Sequence, residues 1–488
     1  MTDAAQHTVP LPPCPTELYI GGHFRPGSSR GTIDVDDPAD GRILAQVADA
    51  TTDDAKSALD AACAAQPRWA STPPRERGEL LRSAYELIHD RAELLATLMT
   101  LEMGKPLAES RGEVAYGAEF FRWFAEEAVR IRGSYTTAPA GGSHLLTMKK
   151  AVGPTLMITP WNFPLAMGTR KIGPALAAGC TCIVKPASQT PLTMLALAQI
   201  LHDVGVPAGV VNVIPSSSTA QIVPELMADP RLRKITFTGS TEVGRRLIEQ
   251  SGQNVLRVSM ELGGNAPLIV FEDADLDQAV EQTVLAKMRN IGEACTAANR
   301  LYVHRAVMDE FADRLSCKMS AMTVGPGTVE DNQVGPLIDA AARDRVHRLV
   351  QDALADGARL LCGGEPLPGP GHFYPPTVLA EVSPQARVCR EEIFGPVAPL
   401  VPFETEAEAV RLANDSDYGL MSYVFTTDLA RALRMGEALE YGMVGVNSGV
   451  VSNPAAPFGG VKQSGLGREG GAEGIEEFLE TTYLGIPR

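Results

Sequence analysis

The sequence TLMITPWNFPLAMGTRKIGPALAAGCTCIVKPAS, residues 155–188, contains the pattern that indicates the fold class. It holds two short apolar runs on either side of a segment with helical spacing, and the same alternation continues after it. Such runs, roughly 25 residues apart with helices between them, are typical of parallel βαβ units. The expected strands are 155–159, 181–184, 210–214 and 235–238, and the expected helices are 167–178, 190–204, 218–228 and 240–251.

The flanking residues have other patterns. Residues 1–50 are rich in Gly, Pro and Asp and predict small edge strands, whereas residues 52–130 have helical spacing. A strand at 255–260 precedes a second α/β region that runs to about residue 465. The last strand-like run, 478–486, has nothing left to pack on in its own domain, and such a tail often completes another subunit's sheet.

Composition limits the class of protein. The chain has 488 residues, a net charge of −16 and a pI of about 5.1, which disfavours nucleic acid and anionic membranes as partners. Its eight cysteines include no CxxC pair and its eight histidines show no metal-ligand spacing. We therefore expect reduced thiols, no metal site and a cytoplasmic enzyme. The N-terminal stretch has no secretory pattern, and no apolar run is long enough to predict a spanning helix.

Two glycine patterns compete as a phosphate-binding site. Residues 465–470 match GxGxxG, but they follow no strand of a βαβ unit, so we expect a flexible loop there. Residues 237–244, FTGSTEVG, follow an apolar strand and open a helix, so backbone N–H groups and the helix N-terminus could face a pyrophosphate. On spacing alone, a tight strand-to-helix turn would use the same glycines.

Cys295 has neighbours that leave room near its sulfur. Small and polar residues flank it at 290–292 and 296–298, whereas Cys63, Cys317 and Cys362 are interpreted as small core hydrophobes. No histidine lies nearby in sequence, so nothing supports a papain-like Cys–His pair.

Seven strings stand in the order found in the aldehyde dehydrogenase superfamily, which the chain resembles over nearly its whole length. They are PWNFP (160–164), KPAS (185–188), FTGSTEVG (237–244), ELGG (261–264), Cys295, EEIFGP (391–396) and PFGG (457–460). Within the superfamily, the chain is most similar to succinate-semialdehyde dehydrogenases. The strings that carry this likeness are TRK (169–171), KMRN (287–290), LEYG (439–442) and SGLGREG (464–470).

The resemblance implies an α/β fold in three parts. The expected parts are a Rossmann-type cofactor domain (1–128 and 152–263), an α/β catalytic domain (264–465) and a small β oligomerisation arm (129–151 and 466–488). It also implies a homodimer or a homotetramer.

The same likeness assigns the catalytic residues. A thiolate adds readily to an aldehyde and leaves readily, and Cys295 matches the family's nucleophile. The Asn162 amide and the Cys295 backbone N–H match the oxyanion hole. Glu261, 34 residues before Cys295, matches the base that activates water to hydrolyse the thioester. Lys171 and Glu469 match a proton relay.

NAD or NADP is the implied cofactor. The matching positions are Pro160, Trp161, Lys185, Ser188, Gly239, Ser240, Gly244, Glu392 and Phe394. Lys185 would lie at the adenosine ribose, 239–244 at the pyrophosphate, and Glu392 with Phe394 at the nicotinamide ribose. Three residues after this lysine the family places a glutamate that repels a 2′-phosphate. Ser188 stands there instead, which favours NADP.

Five positions match the family's substrate site: Arg170, Arg289, Ser452, Phe163 and Phe458. In succinate-semialdehyde dehydrogenases the first three hold the distal carboxylate, and a guanidinium suits a carboxylate geometrically. The implied reaction is oxidation of succinate semialdehyde, a small anionic aldehyde, to succinate.

Three alternatives remain open. The substrate could be another ω-oxo acid such as glutarate semialdehyde, or the chain could be a catalytically silent member of the superfamily. The intact set Cys295, Glu261 and Asn162 argues against silence. Release of the thioester to coenzyme A is disfavoured by the presence of Glu261 as a hydrolytic base.

Two positions depart from the family pattern. Glu293 stands where glutamine is usual, and a carboxylate directed at Cys295 would raise the pKa of the thiol and slow its attack. Ala297 stands where many relatives carry a second cysteine, so a disulfide with that neighbour is not available.

Overall fold

The computed structural model describes residues 9–488. Residues 1–8, the beginning of both the predicted edge region and the stretch considered for a secretory signal, lie outside the described residues. The strands are β1 Leu18–Ile20, β2 His23–Arg25, β3 Thr32–Asp36, β4 Ile43–Ala48, β5 Ser134–Thr137, β6 Ser143–Ala151, β7 Thr155–Ile158, β8 Cys182–Lys185, β9 Val211–Val213, β10 Lys234–Thr238, β11 Arg257–Glu261, β12 Ala266–Val270, β13 Ala298–His304, β14 Arg359–Cys362, β15 Thr377–Ala380, β16 Val397–Phe403, β17 Tyr418–Gly419, β18 Met421–Phe425, β19 Met443–Val446, β20 Val461–Lys462, β21 Gly465–Leu466 and β22 Leu479–Pro487.

The helices alternate with these strands. They are α1 Thr52–Ser71, α2 Pro74–Asp90, α3 Ala92–Met103, α4 Leu107–Glu127, α5 Ala166–Ala178, α6 Leu192–Asp203, α7 Thr219–Ala228, α8 Thr241–Ser251, α9 Leu276–Met288, α10 Met308–Ser320, α11 Ala340–Ala355, α12 Arg387–Arg390, α13 Glu406–Asn414, α14 Leu429–Ala438 and α15 Glu473–Glu476. Short 3₁₀ turns span Ala128–Arg130, Arg289–Gly292 and Arg305–Val307.

The first sheet has the order β2-β1-β9-β8-β7-β10-β11-β21. Its five central strands, β9, β8, β7, β10 and β11, pair in parallel, and helices α5 to α8 connect them. The predicted βαβ pattern is therefore confirmed. The strand order reverses between β7 and β10, so the loops that follow these two strands open a crevice at the carboxyl edge, where α/β sheets bind ligands.

Burial explains why these strands could be recognised in the sequence. Every residue of β7, β8 and β10 is buried, because helices cover both faces of the sheet. Gly179 caps the C-terminus of helix α5, and its φ of 92° is a left-handed conformation that glycine adopts without strain.

The second sheet has the order β14-β15-β16-β13-β12-β18-β19, and all of its pairs except β14–β15 are parallel. The chain passes from the first sheet to the second at residues 262–265, between β11 and β12. A Cβ on Gly264 would lie 2.2 Å from the carbonyl oxygen of Cys295. This glycine therefore lets the end of the first sheet approach the segment that carries the cysteine.

Two predictions for the C-terminal region are wrong. The GxGxxG match is not simply a flexible loop, because Gly465 and Leu466 form β21, which pairs antiparallel with β11 at the edge of the first sheet. The C-terminal tail does have a partner in its own chain. Strand β22 pairs with β6 along its whole length, in a small sheet of order β22-β6-β5. The residue boundaries of the three expected parts stay a prediction.

Among residues 9–488, no helix combines the length and the apolar character that crossing a membrane requires.

Candidate active site

A cavity of about 280 Å³ lies at the crevice between β7 and β10. It brings together eight of the predicted site residues, which come from both sheets: Pro160, Trp161, Asn162, Gly239, Ser240, Cys295, Glu392 and Phe394. Cofactor positions and the predicted nucleophile therefore share one cavity.

Helix N-termini indicate where a phosphate would lie. The N-terminus of α5 is occupied by Glu113, which accepts hydrogen bonds from two of its backbone N–H groups at 2.9 and 3.0 Å. The N-terminus of α6 is occupied in the same way by Glu102, at 2.8 and 3.0 Å. The N-terminus of α8 borders the cavity, and the side chain that caps it is that of its own N-cap residue, Ser240. Of these three helices, α8 is therefore the one that can receive an anion.

The turn before α8 permits close approach of a dinucleotide. A Cβ on Gly239 would lie 2.4 Å from the ring of Phe237, so no other residue fits without rearrangement. Gly244 does not line the cavity, but its missing side chain lets α8 pack against Leu262, which does. Glycine, the helix N-terminus and an open cavity together fit the pyrophosphate of NAD or NADP.

The far wall of the cavity carries the predicted nicotinamide-ribose residues. Glu392 accepts a hydrogen bond from the backbone N–H of Gly264 at 3.0 Å, and burial raises the pKa of its carboxyl to about 7. The rings of Trp161 and Phe394 meet edge to face, with centroids 5.4 Å apart. Glu392 thus presents a fixed carboxyl that could accept hydrogen bonds from ribose hydroxyls.

Lys185 and Ser188 lie one strand away from this cavity and do not line it. Lys185 ends β8 beside Ile158 of β7, and burial lowers the pKa of its ammonium to about 8, opposed by Asp49. Ser188 is partly exposed, with its hydroxyl 3.4 Å from the side-chain oxygen of Gln189.

The surroundings of Cys295 favour the neutral thiol. Burial raises its pKa to about 12, Arg170 and Arg289 act in the opposite direction, and Glu261 and Glu392 add to the rise. Both predicted substrate arginines therefore lie close enough to Cys295 to stabilise a negative charge there.

Asn162 is held for a role as hydrogen-bond donor. Its Nδ2 donates to the carbonyl oxygen of Glu293 at 2.9 Å, and its Oδ1 accepts from the backbone N–H of Phe163 at 3.1 Å. A side-chain amide has two N–H groups, so one is left to meet an oxyanion formed at Cys295.

The backbone before Cys295 is strained. Asn290, Ile291 and Gly292 all have positive φ, at 55°, 62° and 79°, and a β-branched residue such as isoleucine rarely adopts this conformation. The Asn290 amide stabilises the turn by donating to the carbonyl oxygens of Asn162 and Glu293, at 3.1 and 2.9 Å. Strain of this kind is typical of functional sites.

Glu261 lies in a cluster of buried charges. Lys171 donates to Glu469, and the Nε of Arg170 lies 2.5 Å from the other oxygen of the same carboxylate. Burial opposes ionisation of Glu469, yet Lys171 and Arg170 hold its pKa below the ordinary value. Burial and then Glu469 raise the pKa of Glu261 well above its ordinary value. A carboxylate with a raised pKa suits a general base.

Both departures from the family pattern are harmless to the thiol in this geometry. The Glu293 carboxyl accepts from the backbone N–H of Ile338 at 3.2 Å, and neither residue lines the cavity around Cys295. Burial also raises the pKa of Glu293 well above its ordinary value, which disfavours its anion. Ala297 packs in a small apolar cluster with Phe163.

A second cavity, of only about 10 Å³, lies beside the nucleophile segment. Arg289 and Ser452 both line it, together with Ala294 and Thr296, the two neighbours of Cys295. The segment 294–296 therefore separates the cofactor cavity from the predicted carboxylate-binding residues.

Each predicted arginine lies over one of the predicted tunnel aromatics. The guanidinium of Arg170 lies 4.0 Å from the ring centroid of Phe458, and that of Arg289 lies 5.1 Å from the centroid of Phe163. Arg170 is buried and paired with Glu469, but its terminal nitrogen Nη2 has no hydrogen-bond partner among residues 9–488. Arg289 is partly exposed.

Two residues of this site were missed by the sequence reasoning. Arg345, on α11, lines the cofactor cavity and donates to the carbonyl oxygens of Glu392 and Ile393 at 2.8 and 2.9 Å. Lys287, on α9, is fully buried, and burial lowers the pKa of its ammonium to about 7, opposed by Glu392. An arginine on a helix with exposed charges gives no sequence signal of such a role. Lys287 lies in the KMRN string that carried the resemblance.

Several enzymes are similar to this chain over nearly its whole length. A succinate-semialdehyde dehydrogenase of Paenarthrobacter nicotinovorans is 58% identical over 444 residues, covering 91% of this chain and 99% of the relative. A succinate-semialdehyde dehydrogenase [NADP(+)] of Escherichia coli is 49% identical over 470 residues (96% and 97%). A glutarate-semialdehyde dehydrogenase of Pseudomonas putida is 47% identical over 470 residues (96% and 97%).

The fold has solved counterparts. The crystal structure of succinate-semialdehyde dehydrogenase from Burkholderia pseudomallei matches with a TM-score of 0.96 and 46% identity, covering 100% of both chains. The predicted α/β fold is thereby confirmed. The profile of the aldehyde dehydrogenase family matches residues 24–484. This chain is a member of the aldehyde dehydrogenase family.

Proposed function

We propose that this enzyme oxidises succinate semialdehyde to succinate with NADP⁺ or NAD⁺. The observation that carries the proposal is the position of segment 294–296 between two cavities. On one side lie the cofactor residues, and on the other lie Arg289 and Ser452. An aldehyde with a distal carboxylate could place its reactive carbon at Cys295 while its other end reaches the guanidinium.

The first step is addition of the Cys295 thiolate to the aldehyde carbon. The thiol first gives its proton to solvent water, and the thiolate that remains is favoured by Arg170 and Arg289. The oxygen that becomes negative receives hydrogen bonds from the Asn162 amide and the Cys295 backbone N–H. A nicotinamide cofactor held beside Glu392 and Phe394 would supply the acceptor for the hydride that leaves this carbon.

The second step is hydrolysis of the resulting thioester on Cys295. Glu261 takes a proton from water, which attacks the acyl carbon and releases succinate. Its unpartnered buried oxygen, Oε2, is free to accept that proton. Lys171 and Glu469, both buried and paired with each other, act on Glu261 as the partners of a proton relay.

For the cofactor, we propose that NADP is preferred. No carboxylate stands at position 188, and Ser188 offers a hydroxyl donor, with the cation of Lys185 three residues earlier, at the end of β8. Neither Lys185 nor Ser188 carries a negative charge that would repel a 2′-phosphate. The NADP-dependent relative in Escherichia coli supports the choice.

Glutarate semialdehyde is the second candidate substrate, favoured by the relatives from Pseudomonas named for it. It differs from succinate semialdehyde by one methylene. Arg289 and Ser452 would serve either carboxylate, so the two candidates must be separated by kcat/KM measured on both.

We further propose that the enzyme works in the cytoplasm as a homodimer or a homotetramer. Free cysteines throughout the described chain support a reducing compartment. The sheet β22-β6-β5 supports the oligomerisation arm, since it exposes large side chains such as Tyr135 (65%) and Tyr483 (61%). The division into cofactor domain, catalytic domain and arm is part of the same proposal.

The test measures the formation of reduced cofactor, from its absorbance at 340 nm, in wild type and two variants. Cys295→Ala should abolish turnover while cofactor affinity is kept, because no covalent adduct can form. Glu261→Gln should give a burst of reduced cofactor followed by slow turnover, because only deacylation is impaired. Turnover by Cys295→Ala would overturn the mechanism.

A further inference from the structure

A buried ion pair lies beneath the oxyanion turn. Lys105, between α3 and α4, and Glu113, on α4, are both fully buried, with Nζ 2.5 Å from Oε2. Neither residue lines the cofactor cavity or the smaller cavity beside it.

Both charges are used to hold the turn that carries Asn162. Lys105 donates to the carbonyl oxygen of Asn162 at 2.7 Å. The second carboxylate oxygen of Glu113 accepts from the backbone N–H groups of Leu165 and Ala166, at 2.9 and 3.0 Å, where α5 begins. The turn is therefore fixed at its carbonyl and again three residues later.

The Asn162 carbonyl determines where the side-chain amide points. It is bound by Lys105 and by the Asn290 amide, so its peptide plane cannot rotate without breaking two hydrogen bonds. The side chain of Asn162 is attached at one end of this plane, and the N–H of Phe163, at the other end, binds its Oδ1. Displacing the carbonyl would displace the oxyanion donor.

We propose that Lys105 and Glu113 are positioning residues that orient Asn162 for oxyanion binding in the proposed dehydrogenase reaction. They touch neither substrate nor cofactor and act only through the turn 162–166. A displacement of about 1 Å in a catalytic group can cost about 10²-fold in rate.

Stability alone does not account for this pair. A buried ion pair gives little net stabilisation, and replacing both partners with hydrophobic residues of similar volume is often neutral. The double substitution Lys105→Met with Glu113→Gln removes both charges together, and the glutamine oxygen can still accept from Leu165 and Ala166. The protein should therefore fold while the Asn162 carbonyl loses one donor.

The experiment is a cycle of four proteins: wild type, the double variant, Asn162→Ala, and all three substitutions together. With succinate semialdehyde, the double variant should lower kcat about 10- to 100-fold and leave KM for the cofactor within about twofold. In the Asn162→Ala background the same pair of substitutions should cost less than about twofold. A pair that only supports the fold would lower kcat equally in both backgrounds.

Glu102 supplies a matched control. It is another fully buried carboxylate that accepts from two backbone N–H groups at a helix start, that of α6, and its contacts do not involve Asn162. Glu102→Gln should leave kcat within about twofold of wild type. An equal loss from Glu102→Gln would mean that any such substitution damages the enzyme, and the inference would be wrong.

A second readout separates this inference from the choice of substrate. The release of p-nitrophenolate from p-nitrophenyl acetate reports acylation of Cys295 without cofactor or aldehyde, with wild type minus Cys295→Ala as the signal. In this assay too, the double substitution should lower the rate when Asn162 is present and should have little effect in the Asn162→Ala background. If wild type oxidises no aldehyde, the proposed function fails, and equal losses in both backgrounds of this assay would separately overturn the positioning role.

Discussion

The Nε of Arg170 lies 2.5 Å from a carboxylate oxygen of Glu469, inside the site and away from solvent. The other oxygen of Glu469 binds Lys171, so one carboxylate pairs with two buried cations. Arg170 is thereby fixed over Phe458 before any substrate arrives, with Nη2 left without a partner. Preorganisation of this kind lowers the entropic cost of holding a carboxylate.

Glu469→Gln should move the acidic limb of the pH–kcat profile to lower pH. The negative charge of Glu469 raises the pKa of Glu261, after burial, so its removal lowers that pKa and leaves the base ionised in more acidic solution. Turnover depends on ionised Glu261 and rises with pH through its pKa. The pH profile of kcat measures the shift, and the exposed Glu473→Gln is the control. A limb that stays in place or moves to higher pH contradicts the coupling.

Ser188→Glu should change the choice of cofactor. A carboxylate at position 188 would repel a 2′-phosphate, so the ratio of kcat/KM for NADP⁺ to that for NAD⁺ should fall at least about tenfold, or about 1.4 kcal/mol. Glutamine has nearly the same size as glutamate but no charge, so Ser188→Gln should change the ratio much less. Equal ratios in all three proteins would remove Ser188 from the cofactor site.

Alkylation of Cys295 by iodoacetamide should rise steeply with pH in the protein without ligands. Since the pKa of the thiol is about 12, the thiolate fraction grows about tenfold per pH unit from 7 to 10, with no plateau. The signal is the difference between wild type and Cys295→Ala, because Cys317 is exposed and also reacts. If the alkylation rate reached a plateau below pH 9, the thiolate would be stabilised more strongly than the charges around Cys295 account for.

Much of the cofactor half could be predicted because its physical signals are local. Strands covered on both faces become continuous apolar runs, so β7 to β10 could be located within about two residues. Ser240 and the glycines around it belong to one contiguous turn, and the seven strings of the resemblance are also contiguous.

Other parts of the site depend on contacts between distant residues. Lys105 meets Asn162 across 57 residues, and Arg345 meets Glu392 across 47. A lysine after a helix-ending glycine and an arginine on an amphipathic helix are both typical of solvent-exposed positions, so burial could not be inferred. Strand β21 was missed because two residues are too few for a periodic pattern.

Recognition of the distal carboxylate by Arg289 is tested by kcat/KM for two aldehydes in wild type and Arg289→Ala. One is succinate semialdehyde, and the other is butanal, which has equal chain length and no carboxylate. Wild type should prefer succinate semialdehyde. Removing Arg289 should cost about 2–5 kcal/mol on that substrate, roughly 30-fold to a few thousand-fold, and little on butanal. Arg170→Ala should lower both, because it also breaks the pair with Glu469. If Arg289→Ala lowers both substrates equally, Arg289 is structural and the assignment of an anionic aldehyde is wrong.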